Sequence, residues 1–393
     1  MSLLEQLKEE ASALGFDLAG AVPAEAEQWS ELAKFSNWVE AGYAGEMQYL
    51  KTTNEAGVYK RENLRNALPW AKSAIVCAIN YNTAPAYSIN QPRIENGSSR
   101  GWISRYAWTA ENVSSESEDY DVSSQTIASD YHATVLARLR KLEAWLHENA
   151  KQHSVSEEIQ SRCYVDTGPI VERVHAKYAG LGWIGKNTCL INEQLGSWLF
   201  LSVIVTSIPA QMFFEGGAPS LPSPDRCGTC TRCLDACPTQ AFIGPYQMDA
   251  TRCIAYLTIE KRGTIAEELR EGIGRQVFGC DICQDVCPWN RKAPVTALKE
   301  FQPRPGLVNP ELSRLAKMTR EGFRATFRGS PVERTKYAGF RRNVAIAMGN
   351  SGDVSLSPLL EEMTRDEDGV VAEHAEWARK RLEQKALSGP ITV

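Results

Sequence analysis

The sequence predicts a multidomain α+β protein, and three observations predict it. Short apolar strand patterns are mixed with amphipathic helical patterns up to about residue 215. Two cysteine runs then crowd residues 227 to 287. Past residue 296 only helical patterns remain. The expected division is therefore an α/β region over 1–215, a cysteine module over 216–295 and an all-helical region over 296–393.

The elements follow in order. Leu3, Leu4, Leu7 and Ala11 repeat at helical spacing, and Gly15 ends that helix. Phe16 to Val22 is a short apolar stretch. Ala74 to Asn80 is a continuous apolar run after a Pro-Trp turn, which predicts a strand buried on both faces. Thr83 to Asp130 is rich in Ser, Asn and acids, carries Pro85 and Pro92, and reads as a long mobile loop. Val135, Leu139, Leu142 and Leu146 line one face of a helix over Tyr131 to Ala150. Arg162 to Val165 is a short strand ending at Asp166-Thr-Gly-Pro169. A helix over Ile170 to Ala179 stops at Gly180. Trp198 to Ile208 is a further apolar strand. In the last region helices are expected at Phe340 to Met348, Leu359 to Thr364 and Val370 to Leu382. The Gly349-Asn-Ser-Gly352 turn between the first two resembles that of an α-helical repeat.

The cysteine spacing carries the chemistry. Cys227, Cys230, Cys233 and Cys237, followed by Pro238, form the C-x2-C-x2-C-x3-C-P run that holds a cubane iron–sulfur cluster. Cys253, Cys280, Cys283 and Cys287, followed by Pro288, form the second set. In two-cluster ferredoxins the fourth Cys of a run ligates the other cluster. The expected ligands are then Cys227, Cys230, Cys233 and Cys287 for cluster A, and Cys237, Cys253, Cys280 and Cys283 for cluster B. Zinc is the competing reading, because four thiolates also bind Zn²⁺. Zinc sites usually pair two C-x2-C knuckles, which this triple run does not. A disulfide framework fits less well, since the N-terminus shows no secretory signal. Cys77, Cys163 and Cys189 lie in apolar segments and are expected in the core.

Composition narrows the function classes. The longest apolar run, around Trp198 to Val205, is strand-sized and interrupted by Ser202. A cytoplasmic protein with no membrane partner is expected. The net charge of −5 argues against nucleic-acid binding by the whole surface. From Arg304 to Arg342, however, ten Lys or Arg face only three acids, Glu311, Glu321 and Glu333. That stretch suits either a phosphate backbone or a solvated helical face.

Several flanking motifs resemble one family. Asp130-Tyr-His132, Tyr164-Val-Asp-Thr-Gly-Pro169, Glu172-Arg, Ala179-Gly-Leu-Gly-Trp-Ile-Gly-Lys-Asn187, both cysteine runs and Arg341-Arg-Asn-Val-Ala-Ile-Ala-Met-Gly-Asn350 together resemble the epoxyqueuosine reductases. One departure is the acidic, serine-rich stretch over 109–129, which stands where the family passes quickly from Arg105-Tyr106 to Asp-Tyr-His. The resemblance implies a nitroreductase-like catalytic domain that binds cobalamin, a ferredoxin-like domain with two [4Fe–4S] clusters, and a HEAT-like tail that helps hold tRNA. It implies reduction of epoxyqueuosine to queuosine in the tRNA anticodon loop, fed by an external low-potential electron donor. The chain is expected to act as a monomer. Two rival readings share features with this one: a corrinoid iron–sulfur reductive dehalogenase, and a non-enzymatic ferredoxin fused to a scaffold.

The resemblance assigns the general acid to Asp166. An ordinary Asp is ionised at neutral pH, with a pKa of about 3.9, so this role asks for burial or for water to be excluded when RNA binds. A plainer reading makes Asp166 or Thr167 the cap of the following helix. Lys186 and Asn187 are candidate cofactor contacts, in a glycine-rich stretch suited to close approach of a flat ligand. Because the P-loop pattern fails at Asn187, that stretch is no P-loop. Asp130 is a candidate cofactor contact and a good N-cap. His132 reads as a structural or RNA-facing residue. Gly279 and Asp281 become corrin neighbours if cluster B is the inner relay. Arg334, Lys336, Arg341 and Arg342 are the tRNA-binding candidates, with Tyr106, Trp108 and Tyr131 as base-stacking or core aromatics.

Overall fold

The computed structural model describes residues 2–25, 29–109, 130–152, 158–214 and 222–387. Helix α1, Leu3–Ala13, opens with a capping box in which Ser2 and Glu5 each satisfy the other's backbone N–H. Strands β1, Leu18–Pro23, and β2, Ser73–Asn80, pair antiparallel with Gly20 opposite Val76. Strand β3, Trp102–Ile103, lies outside that sheet. Helix α2, Tyr131–Gln152, strand β4, Ser161–Tyr164, helix α3, Glu172–Tyr178, and strand β5, Leu199–Thr206, complete the first region. The main sheet has the order β1-β2-β5-β4, with every pair antiparallel.

Both faces of this sheet are covered, which is why β2 reads as an unbroken apolar run. Ile75, Cys77 and Ile79 pack with Ile204 against Leu3 and Leu7 of α1 and Val135, Leu139 and Leu142 of α2. Ala74, Val76 and Ala78 pack with Val203 and Val205 against Val174 of α3 on the other face. Alternation of side chains along a strand splits the run between two cores.

The loop expectation fails for 99–109. Residues 84–98 are largely exposed turns, but the chain then enters the interior, where β3 pairs in parallel with β6, Gln276–Phe278, in the cysteine module. Arg105 is 2% exposed and organises it. Its guanidinium donates to the Thr83 carbonyl at 2.7 Å, the Thr83 hydroxyl at 2.9 Å and the Pro85 carbonyl at 2.9 Å. It also lies over the rings of Tyr87, Trp108 and Trp198. Thr83 and Ser88, two of the polar residues that suggest a loop, are here internal hydrogen-bonding partners. Residues 110–129, most of the proposed insertion, lie outside the described residues, as does the expected boundary at 215.

The last region is helical as expected, with α4, Lys336–Ser351, α5, Ser357–Met363, and α6, Gly369–Leu387. Gly349 lets α4 approach α6, because a Cβ there would stand 2.7 Å from the Ala378 Cα. Trp102, Ile103 and Trp108 share one core with Val277 and Phe278 of the cysteine module and with Phe340, Val344 and Met348 of α4. One hydrophobic core thus joins parts of all three sequence regions.

Candidate active site

All three regions also meet around a cavity of about 1780 Å³. Its wall includes Phe35, Trp38, Met47 and Tyr49 from the N-terminal segment, and Tyr106, Tyr131 and Phe200 near the sheet. Gly279, Cys280 and Asp281 line it from the cysteine module, and Pro331, Glu333 and Arg334 from the helical region.

Asp166 enters this cavity from the turn after β4. Its φ of 54° lies in the left-handed region, which costs a non-glycine residue free energy and is found where neighbours enforce it. It does not cap α3, whose N-cap is Val171 with no side-chain capping bond. The Tyr131 hydroxyl donates to Asp166 Oδ2 instead. His132 Nε2 stands 3.7 Å from the same oxygen. Asp130 accepts the His132 backbone N–H at 3.0 Å and contacts its ring Nδ1 at 2.5 Å. Asp130 thereby serves the start of α2 and holds the imidazole.

Tyr131 stacks on Phe200 with 4.1 Å between centroids. Burial, then the nearby Asp166 charge, raises its phenol well above the ordinary value, so it acts as a donor. Tyr106 lines the same wall, edge-on to Tyr131. Trp108 is fully buried and packs with Trp102, so it presents no face to a base.

Glu172 also lines the cavity, and its Oε1 is buried without a hydrogen-bond partner. Burial first, and the Asp166 charge second, push this carboxyl up to about 8. It therefore holds its proton at neutral pH. Sequence reasoning quoted Glu172 as part of a motif and gave it no role. The available signal was an acid set between Ile170-Val171 and Val174 on the buried face of a short helix. Arg61, which sequence reasoning missed, donates to the Gly168 carbonyl at 2.8 Å and braces the turn carrying Asp166.

The cysteine thiols lie close enough to influence one another, and Cys189 reaches members of both expected sets, Cys253, Cys283 and Cys287. Cys227 and Cys230 act on Cys233, and Cys227 and Cys233 act on Cys287. Cys237 acts on Cys253, both act on Cys280, and Cys253 and Cys280 act on Cys283. Cys227, Cys230 and Cys233 sit on a segment whose intervening residues are exposed, whereas Cys280 lines the cavity. Burial pushes Cys233 and Cys287 up to about 11, so thiolates here require a cationic partner. The Ala241 N–H already points at Cys237 Sγ at 3.3 Å. Among the described residues no three His, Cys, Asp or Glu side chains converge closely enough to hold a single metal ion. Cys189 is not simply a core residue: it hydrogen-bonds Cys283, which lowers its own thiol and raises that of Cys283.

Other expected contacts land elsewhere. Lys186 donates to the Gly228 carbonyl at 2.6 Å and anchors the first cysteine loop. Asn187, 3% exposed, accepts the Cys189 N–H and reaches the Cys283 carbonyl at 3.4 Å. Neither residue lines the cavity. The glycines around them serve chain packing: a Cβ on Gly182 would stand 2.2 Å from the Ile191 carbonyl oxygen. Gly279 lines the cavity, with a positive φ and a backbone pressed on Ser104. Asp281 lines it too, but its Oδ2 accepts the Trp102 indole N–H at 2.9 Å and the Arg105 N–H at 2.8 Å. Arg334 lies at the cavity, pairs with Glu260 at 2.7 Å and covers the Tyr49 ring. Lys336 is exposed. Arg341 is engaged by Asp366 at 2.7 Å and by the Ala316 carbonyl. Arg342 is 1% exposed, with its guanidinium held by the carbonyls of Leu257, Lys261 and Gly263. A phosphate has no access to Arg342 in this arrangement, which corrects its placement among the tRNA-binding candidates.

Comparison with known proteins agrees with this geometry. Residues 226–290 match the family described as a 4Fe–4S double cluster binding domain, and residues 61–167 match "Epoxyqueuosine reductase QueG, DUF1730". An epoxyqueuosine reductase of Pseudomonas aeruginosa is 36% identical over 385 residues, covering 96% of this chain and 94% of the relative. The chain belongs to the epoxyqueuosine reductase family. A second member, from Escherichia coli K12, is 34% identical over 380 residues, covering 96% of this chain and 88% of the relative. A crystal structure of an epoxyqueuosine reductase with an epoxyqueuosine-modified tRNA-Tyr stem loop superposes with a TM-score of 0.78 at 30% identity. It covers 98% of this chain and 94% of that one. Within this family the cysteine module is an iron–sulfur module, and the zinc reading gives way.

Proposed function

We propose that this chain is an oxidoreductase that reduces epoxyqueuosine to queuosine in the tRNA anticodon loop. The observation that carries the reading is Asp166, which enters, from a strained turn, the same cavity that Cys280 lines. Family membership and the likeness to a tRNA-bound relative support the substrate class. The finer architecture we propose is a nitroreductase-like α/β domain, a ferredoxin-like domain and a HEAT-like helical tail.

Cluster A takes Cys227, Cys230, Cys233 and Cys287, and cluster B takes Cys237, Cys253, Cys280 and Cys283. Cluster A is the outer relay, receiving electrons from an external low-potential donor, and cluster B is the inner one. The cavity is the cobalamin site. Its size, its apolar and aromatic walls and the unpartnered Glu172 oxygen fit a large flat macrocycle with a polar rim. When bound, cobalamin and the clusters supply the two electrons of the reduction.

The chain's own residues supply position and protons. Loss of the epoxide oxygen as water takes two protons with those two electrons. Asp166 protonates the leaving oxygen. The Tyr131 hydroxyl and the braced turn fix its carboxyl, and docked RNA excludes water from a side chain that is otherwise half-exposed. Arg334 and Lys336 are the cations at the rim for tRNA phosphates. We place the reaction in the cytoplasm, on a monomer. Among the described residues no helix is long and apolar enough to cross a membrane.

The test is turnover. Anaerobically reconstituted protein, given cobalamin, a chemical reductant and epoxyqueuosine-containing tRNA, is expected to convert the modified base to queuosine. Intact base after both clusters and cobalamin have been loaded would refute the reading.

A further inference from the structure

The reaction consumes two protons, and Asp166 carries one at a time. We propose that His132 is the relay that reloads Asp166, with Asp130 as the residue that orients it. The inference rests on the reductase reading of this cavity.

The geometry assigns each atom a task. A carboxylate only accepts hydrogen bonds, so the 2.5 Å contact with Asp130 Oδ1 fixes a proton on His132 Nδ1. Nε2 is then the atom that exchanges a proton, and it stands 3.7 Å from Asp166 Oδ2. Such contacts tighten when substrate is bound. Tyr131 also donates to Oδ2 and holds the carboxyl in place. The imidazole is held at both ends of the motif, because Asp130 also takes the His132 backbone N–H and the ring stacks on Tyr131 at 4.1 Å. The His132 side chain is 28% exposed, which keeps it in contact with solvent through the cavity. The charged groups facing it are Asp130, just before α2, and Asp166 on the turn after β4. Glu172 and Arg173 on α3 lie within reach of the Asp166 charge. The phenols of Tyr131 and Tyr106 close the wall.

The step balances. Asp166 gives its proton to the epoxide oxygen as the first C–O bond breaks. His132 Nε2 passes a proton to Asp166, and Asp130 offsets the charge on the ring while it is doubly protonated. Asp166 gives this second proton to the oxygen as the remaining C–O bond breaks, so water departs and the alkene forms. The two electrons come from the reduced clusters, and His132 is reprotonated by solvent.

The test compares wild type, His132→Gln, His132→Ala and Asp130→Asn as fully loaded enzymes. His132→Gln is expected to lower kcat by about 10²-fold while KM for tRNA, cluster content and cobalamin content are unchanged. Added imidazole is expected to restore part of the His132→Ala rate. Asp130→Asn is expected to shift the pH profile of kcat. A His132→Gln enzyme with wild-type kcat overturns the relay. So does a loss of kcat in His132→Ala that imidazole does not rescue and that leaves the pH profile unmoved, which is the signature of a structural role alone. Loaded wild-type enzyme that leaves the tRNA untouched would defeat the reductase reading and the relay with it, whereas an active wild type matched by its variants defeats the relay only.

Discussion

Two charged regions of this molecule are built on opposite principles. Where the helical tail packs on the cysteine module, the charges of Arg342, Arg341 and Arg270 are each fully engaged. Arg342 is held by three carbonyls and Asn343, Arg341 by Asp366, and Arg270 by Glu373 and the Ile265 carbonyl. Along the cavity wall the charges are left incomplete. Glu172 has an unpartnered oxygen, Asp166 sits on strained backbone, and His132 is just beyond hydrogen-bonding distance of it. Saturated charges hold a fold; incomplete ones retain the capacity to bind or move a proton.

The largest effect is expected from the incomplete side. Asp166→Ala should reduce turnover by at least about 10²-fold, with both clusters and tRNA affinity retained. Single-turnover assays on loaded enzyme check this, and near-normal turnover would erase the contrast. On the saturated side, Arg342→Ala should destabilise the chain by roughly 3 kcal/mol, because it strands several buried carbonyls. Thermal unfolding of the reconstituted protein reads that out. Arg342→Lys should recover little, since one ammonium cannot span the same fork of acceptors.

Arg334→Ala sharpens the comparison at the rim. It should weaken tRNA binding by about 1 kcal/mol and lower the slope of log affinity against log salt by about 1. Filter binding at several salt concentrations measures both. A purely pH-dependent effect is expected from Glu172→Gln. The carboxyl, near 8 in the folded chain against 4.5 as an ordinary Glu, binds its proton more tightly when folded. Its contribution to wild-type stability is therefore fully present below about pH 4.5 and falls as pH rises from there through 8. Glu172→Gln should raise the unfolding midpoint at pH 9 and leave it unchanged at pH 4.

The same contrast explains what was legible in the sequence. Cysteine spacing marks both thiol sets, because cluster geometry demands short fixed intervals. Apolar periodicity marks β2, β5, α2 and the tail helices, because one face or two must be buried. Within Thr83 to Thr109 only the buried end, 99–109, departs from the loop reading, because the carbonyls that Arg105 binds are not visible in the Ser, Asn and Pro that precede it. Arg342 was misread for the same reason. One arginine in a basic stretch looks like its neighbours, and only the fold decides which side chain turns inward. Asp166 stood out through resemblance, but Tyr131 and His132 reach it from a helix that begins 35 residues earlier in the sequence.

The most direct test of the account is whether the cavity beside the inner thiols is where electrons are delivered. Electron paramagnetic resonance of the reduced, reconstituted chain, recorded with and without paramagnetic cobalamin, addresses it. The signal of the cluster held by Cys280 should broaden when cobalamin binds, and that of the outer cluster should change far less. Cobalamin that binds and leaves both cluster signals unaltered would contradict the account.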